Sequence, residues 1–222
     1  MTLIDNNILT CPNCTKCVQT LEILSYHIFE SVLFSDGKAD TTPIIPNISR
    51  ILICPECNKE FWKDDAEQTV DTKIDTYNIR SVLSPSDLFA VRNSEDLLGQ
   101  ARYYYKLLKE NFANNNEKEI YLRMLLWHEL NDIVRYNIPV KVTILDEREL
   151  LLRDNLLHLI KIFNPSYEEE KLLLAEMYRE LGEFDFAQTI LEAIREQDFI
   201  GKRNELFRAC NSKSVRVFKL KN

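Results

Sequence analysis

Glycine is nearly missing from this chain: four residues in 222, no two of them adjacent. A loop that cradles phosphate needs clustered glycines so that backbone N–H groups can converge on the anion. Nucleotide-driven chemistry is therefore not expected. Histidine is as scarce, with His27, His128 and His158 alone, and no two of them stand at a metal-ligand spacing. No apolar run approaches the roughly 20 residues that a membrane-spanning helix needs. Met1–Thr10 is mixed in character, contains Asp5 and does not resemble a signal peptide. The expectation is a cytoplasmic protein in a reducing compartment, with no membrane partner.

Apolar residues make up 45% and charged residues 28%, so the chain can bury a real core as one domain or two. The net charge of −7 is unevenly spread. Residues 1–90 hold 7 Lys/Arg against 13 Asp/Glu, and residues 91–222 hold 21 against 22. The acidic part repels a phosphate backbone, which weakens a nucleic-acid reading.

That same acidic part carries five of the six cysteines. Cys11-Pro12-Asn13-Cys14 is answered by Cys54-Pro55-Glu56-Cys57 across 39 residues. Two Cys-Pro-x-Cys pairs supply four thiolates at knuckle spacing, which fits one tetrahedral ion. Each proline stiffens its bend so that both sulfurs face one point. Asn58 follows the second pair, where a knuckle often needs positive φ, and asparagine tolerates that conformation. Thr15, after the first pair, suits that role poorly. Structural zinc on Cys11, Cys14, Cys54 and Cys57 is the expected cofactor; iron in a rubredoxin-like site uses similar knuckles. A closed four-thiolate site leaves no open position for water or substrate, so it stabilises folding. Cys17 and Cys210 read as spare buried thiols.

Between the pairs, Val18–Phe34 is ambiguous: Val18, Leu21, Leu24 and Ile28 suit a helix, whereas Ile28, Glu30, Val32 and Phe34 suit a strand. Asp36-Gly37 favours a β turn for the second half, with Gly37 at positive φ. Pro43 and Pro46 imply an extended connection, and Ile48–Ile53 a strand delivering Cys54.

Ser35-Asp36-Gly37-Lys38, the following prolines, the second Cys-Pro-x-Cys, Phe61-Trp62 and Asp65-Ala66-Glu67 together resemble a group of uncharacterised bacterial proteins. In that group a split zinc ribbon precedes a helical domain related to tetratricopeptide repeats. The resemblance covers most of the chain and implies a fold and a metal, with no established activity.

Beyond a polar linker at 68–83 the pattern turns helical. Ser84-Pro85-Ser86-Asp87 resembles a helix opening, and Ser94 can cap a helix over 95–112. Further helices are expected over 117–136, 146–163, 167–181 and 184–197, the one over 167–181 opened by a capping box of Ser166 with Glu169. Tyr178, Leu181, Gly182, Phe184, Ala187 and Leu191 resemble a tetratricopeptide repeat, in which Ala187 lets two helices approach closely. Ile194 stands where the repeat has a small residue. The basic end, with Lys202, Arg203, Arg208, Lys213, Arg216, Lys219 and Lys221 against Glu205, reads as a short helix over 202–210 followed by an extended segment.

The fold class expected is segregated α+β: a zinc-ribbon domain over 1–67, a linker over 68–83, and an all-α tetratricopeptide-like domain over 84–222. The leading function is a non-enzymatic interaction or scaffold protein that offers a helical groove to a protein or peptide. Arg102, Lys106, Lys109, Arg123 and Arg135 lie on the helices beside the hairpin and suit an acidic or carboxylate-bearing segment. One alternative is nucleic-acid binding by the ribbon and basic tail. Another is a metal-dependent hydrolase using His128, Glu129 and Asp132, a sequence that lacks the second histidine of a zinc-protease helix.

Overall fold

The computed structural model describes residues 3–44, 49–68, 80–82, 84 and 97–221. They form two compact units: one from residues 1–30 and 41–93, the other from residues 31–40 and 94–222. The architecture is α+β, with short strands first and helices after.

In the first unit, β1 (Leu3–Thr10) pairs antiparallel with β2 (Cys17–Ser25), placing Leu9 opposite Val18 and Thr10 opposite Cys17. Val18–Phe34 holds two strands and no helix: β2 ends at Ser25, and β3 (Glu30–Leu33) follows and pairs with β4 (Ala39–Thr42), their residues 31–33 and 39–40 belonging to the second unit. Valine, isoleucine and threonine fit a pleated surface, and the knuckle fixes the pairing register. A second hairpin joins β5 (Ile51–Ile53) to β6 (Glu60–Trp62), with Leu52 opposite Phe61. A 3-10 turn at Lys63–Asp65 leads into β7 (Glu67–Gln68), which pairs with the other edge of β1. Leu9, Cys11, Val18, Leu52, Cys54 and Phe61 form the small core. Part of the expected linker lies beside β2, since Gln19 and Ser81 form a parallel bridge. The expected helix opening at Pro85–Asp87 and the Ser94 cap lie outside the described residues.

The helical unit contains α1 (Gly99–Lys109), α2 (Asn116–Arg135), α3 (Val142–Ile162), α4 (Glu168–Glu180), α5 (Phe184–Glu192) and α6 (Ile200–Asn211). Consecutive helices pack together, and α4 also touches α6. Asn115 opens α2 by accepting a 2.9 Å bond from the Lys118 backbone N–H. Asn137, at φ 50°, lies just past its end. Helix α3 starts at Val142, four residues before the expected Asp146, and α5 stops at Glu192, five before Gln197. The cap of α4 is also shifted by one residue. Glu170, not Glu169, reaches back to the backbone N–H groups of Ser166 and Tyr167.

Ala187 is fully buried in the α4–α5 hairpin, among Leu172, Ala175, Leu191, Ile194 and Leu206. Gly182 makes the hairpin turn at φ +81°, where a side chain would be strained although the space around it is open. A second apolar layer joins Leu122, Leu126, Trp127 and Leu130 on α2 to Leu156 and Leu159 on α3, all fully buried.

Residues 31–40, sequence neighbours of the ribbon strands, pack in this helical unit. Ser35 exchanges hydrogen bonds with Phe218, and the Leu220 N–H donates to the Leu33 carbonyl at 2.9 Å. The carboxy-terminal segment thus runs antiparallel to this stretch, with a single bridge between Phe34 and Lys219.

Candidate metal centre

Each Cys-Pro-x-Cys pair sits at the tip of a hairpin, and the two tips share one local geometry. The Thr15 N–H donates to the Cys11 carbonyl at 2.9 Å, and the Asn58 N–H to the Cys54 carbonyl at 2.8 Å. Cys11 N–H closes onto the Lys16 carbonyl at 3.0 Å, and Cys54 N–H onto Lys59 at 3.1 Å. Both residues after the knuckles have positive φ, 60° at Thr15 and 55° at Asn58. Thr15 was expected to fit that role poorly, yet it takes it. The turn's paired backbone bonds impose the conformation on a β-branched residue that disfavours it.

The knuckles bring Cys11, Cys14, Cys54 and Cys57 together, all four Sγ atoms lying within 4.8 Å of one another. Cys14 and Cys54 are 3.7 Å apart, and Cys11 and Cys57 are 4.0 Å apart. Four Zn–S bonds of about 2.3 Å in a tetrahedron require sulfur separations of about 3.8 Å, so the set fits zinc after a small contraction. Cys11 and Cys54 are buried, whereas Cys14 and Cys57 are partly exposed. Burial pushes the Cys11 thiol up to about 12 and also raises Cys57, while a hydrogen bond from the Lys16 backbone N–H lowers Cys14. Zinc would bind all four as thiolates and so release their protons on loading. Cys17 and Cys210 stand outside this group.

The helical unit holds a second concentration of charge. The Asp36 carboxylate, fully buried, accepts from Arg135 and from Asn131 Nδ2, the latter at 3.0 Å. His128 Nε2 lies 3.1 Å from the Asp36 carbonyl. Asp132 is held by Arg135 and by Lys38 Nζ at 2.8 Å. Asn131 also donates to Glu180, which accepts from Trp127 Nε1 at 2.9 Å. Burial, with Glu176 and Asp36 nearby, raises the Glu180 carboxyl well above the usual range. A further pair, Glu176 with Arg179, is fully buried, and Arg179 reaches on to the carbonyls of Ser214 and Arg216.

These contacts reassign several residues singled out in the sequence. His128 and Asp132 both serve the Asp36 cluster, and burial lowers the His128 imidazole below its ordinary range. Arg135 has no exposed side-chain surface, and Arg123 is nearly as enclosed, bound to Glu119 and Asn155. Neither can meet an external ligand in this structure, because buried guanidiniums need their carboxylate and amide partners. Arg102, Lys106 and Lys109 are exposed on α1. Arg102 grips Glu147 through two 2.7 Å bonds, Lys106 lies 3.7 Å from Glu110, and Lys109 lies 3.8 Å from Asp154.

Asp36, Asn131, Arg179 and Glu180 went unnoticed in the sequence. Asp36 had been read through its turn with Gly37, and the others occupy helix positions that a periodic pattern assigns no special role. Comparison with protein-family models, with curated proteins and with solved structures returns no match. Among the described residues, no helix is long and apolar enough to cross a membrane.

Proposed function

We propose that this is a non-enzymatic, zinc-stabilised interaction protein whose helical unit binds an extended protein segment. The observation that carries this reading is intramolecular. The helical unit already holds an extended piece of its own chain, with Arg179 donating to the main-chain carbonyls of Ser214 and Arg216. Contacts to peptide carbonyls do not depend on the side chains of the segment held, which is how strand-like ligands are gripped. The metal set supports the same reading, because four cysteine ligands complete a tetrahedron and leave zinc a stabilising role.

Among the described residues, two surfaces suit such a segment. One is the row of Arg102, Lys106 and Lys109, which suits an acidic ligand that displaces Glu147, Glu110 and Asp154. The other is a cleft of about 470 Å³ bordered by Asp146, Glu149, Leu150, Arg153, Glu180 and Leu181. The test is affinity purification of the tagged full chain from its host, beside two charge-reversed versions. A partner lost with Arg102→Glu, Lys106→Glu and Lys109→Glu, and weakened by salt, supports the acidic-segment reading. A partner lost with Asp146→Lys and Glu149→Lys moves the surface to the cleft. Turnover of a substrate, or tight DNA binding at physiological salt, overturns the proposal.

A further inference from the structure

We infer that the seat of residues 214–221 in the helical unit is the docking site for a partner's extended segment, and that the chain's own segment fills it as a displaceable stand-in. The partner's segment lies antiparallel to residues 33–35, as the resident one does at its bridge between Phe34 and Lys219. It carries apolar side chains where the resident one has Val217, Phe218 and Leu220. This gives a place to the segment binding proposed above, on which it rests.

The seat grips main chain. Arg179 donates to the carbonyls of Ser214 and Arg216, the latter at 2.9 Å. The Ser35 N–H donates to the Phe218 carbonyl at 2.9 Å, and the Phe218 N–H to the Ser35 hydroxyl at 3.1 Å. The Leu220 N–H reaches the Leu33 carbonyl at 2.9 Å, and the Lys221 N–H reaches the Glu205 carboxylate at 3.0 Å. Such bonds serve any extended backbone that runs the same way, as in strand addition to a sheet edge. Side chains are read at few points. Val217 and Leu220 are buried, and the half-buried Phe218 packs on the core of α4, α5 and α6, its ring 5.2 Å from the Arg179 guanidinium. Arg216, Lys219 and Lys221 are exposed, so segments that differ at those positions fit as well.

The seat is also built to survive an exchange of occupants. Glu176 orients the Arg179 guanidinium without help from the segment, so the donors stay aimed and the buried ion pair stays complete when the segment leaves. The segment joins α6 through Ser212 and Lys213, and Lys213 is held at φ 51°. That left-handed conformation is strained for a residue with a Cβ, and release of the segment relieves it. Against release stands the tether, which keeps the resident segment at a roughly millimolar local concentration. A free segment that binds no better than the resident one is therefore shut out. Displacement needs a partner that fits the apolar positions better, or an event that loosens the resident segment.

A fluorescein-labelled synthetic peptide with the sequence of residues 213–222 tests this by anisotropy. It is titrated against the full chain and two loosened versions, Leu220→Asp alone and Val217→Asp with Leu220→Asp. Binding is expected to be at least about tenfold tighter for each loosened chain than for the wild type, because the competing segment has been weakened. A peptide with Val217→Asp should not bind, whereas one with Arg216→Ala and Lys219→Ala should bind as the original does. Equal binding to wild-type and loosened chains overturns the inference, as does no binding to a loosened chain that keeps its helical circular dichroism. Loss of the helical fold in both versions overturns it too, since the segment is then an obligatory part of the core. A wild-type dimer that dissolves in Leu220→Asp gives the seat to a second copy and likewise overturns it. Each of these failures leaves the cationic row on α1 and the cleft to their own charge-reversal test.

Discussion

In the ribbon unit the buried apolar set among the described residues is short: Leu9, Val18, Ile51, Leu52, Ile53, Phe61 and Trp62, with the ligands Cys11 and Cys54 beside them. In the helical unit whole leucine-rich faces are buried, and among them lie the ion-paired side chains of Asp36, Arg135, Glu176 and Arg179. The contrast follows from surface and volume. A small β unit cannot remove enough apolar area from water to offset the entropy of ordering its chain, so it depends on a staple. A larger helical core has apolar burial to spare, and it tolerates desolvated charges provided each is paired. Metal chemistry thus decides the stability of one unit, and ion-pair completeness decides that of the other.

The largest effect should come from the staple. Cys57→Ser is expected to abolish zinc by elemental analysis and to unfold the strands, since structural zinc supplies roughly 10 kcal/mol or more of folding free energy in small metal domains. Cys17→Ser should leave the metal content unchanged. Strands that persist without metal, read by far-ultraviolet circular dichroism, would erase the contrast between the units.

Next in size is the removal of one partner from a buried pair. Arg179→Met leaves Glu176 fully buried without its guanidinium and takes the donors from Ser214 and Arg216. A loss of about 3–5 kcal/mol is expected in urea unfolding. Near-neutral stability would show that the helical unit does not depend on its charged cluster.

Overpacking the hairpin should cost less. Ala187→Phe forces a ring into the α4–α5 crossing and is expected to destabilise by about 1–3 kcal/mol. An unchanged melting temperature would count against close approach of these helices.

The smallest effect concerns pH. Because burial raises the Glu180 carboxyl well above its ordinary 4.5, the folded protein binds that proton more tightly than the unfolded chain does. Its contribution to stability is therefore fully present below about 4.5 and declines as pH rises towards the raised native value. Glu180→Gln, which keeps an acceptor for Trp127 and removes the charge, should raise the melting temperature at pH 8 and make little difference at pH 4. An equal shift at both values would show that Glu180 acts through packing alone.

Much of this could be read along the chain because its cause is local. Paired cysteines at knuckle spacing need only a tight turn to converge, and Gly182 acts on backbone within a few residues of itself. The α4–α5 hairpin was legible for the same reason, since Ala187, Leu191 and Tyr178 repeat at helical spacing around one glycine turn. Even the misplaced helix ends and the shifted α4 cap are errors of one to five residues in a local signal.

What the sequence could not disclose was where long-range partners meet. Nothing near Asp36 marks it as the counter-charge of Arg135, 99 positions away. Nor does the basic tail reveal that Phe218 and Leu220 pair with Ser35 and Leu33. The five cations proposed for a ligand looked alike as letters, and burial alone separated Arg123 and Arg135 from Arg102, Lys106 and Lys109. The sequence by itself determined the metal ligands, the order of strands and helices, and the acidic character of the ribbon. Tertiary structure decided which charges are buried and which segment each helix holds, because a charge's energy depends on the dielectric and the partners around it, and those come from residues far away in the chain.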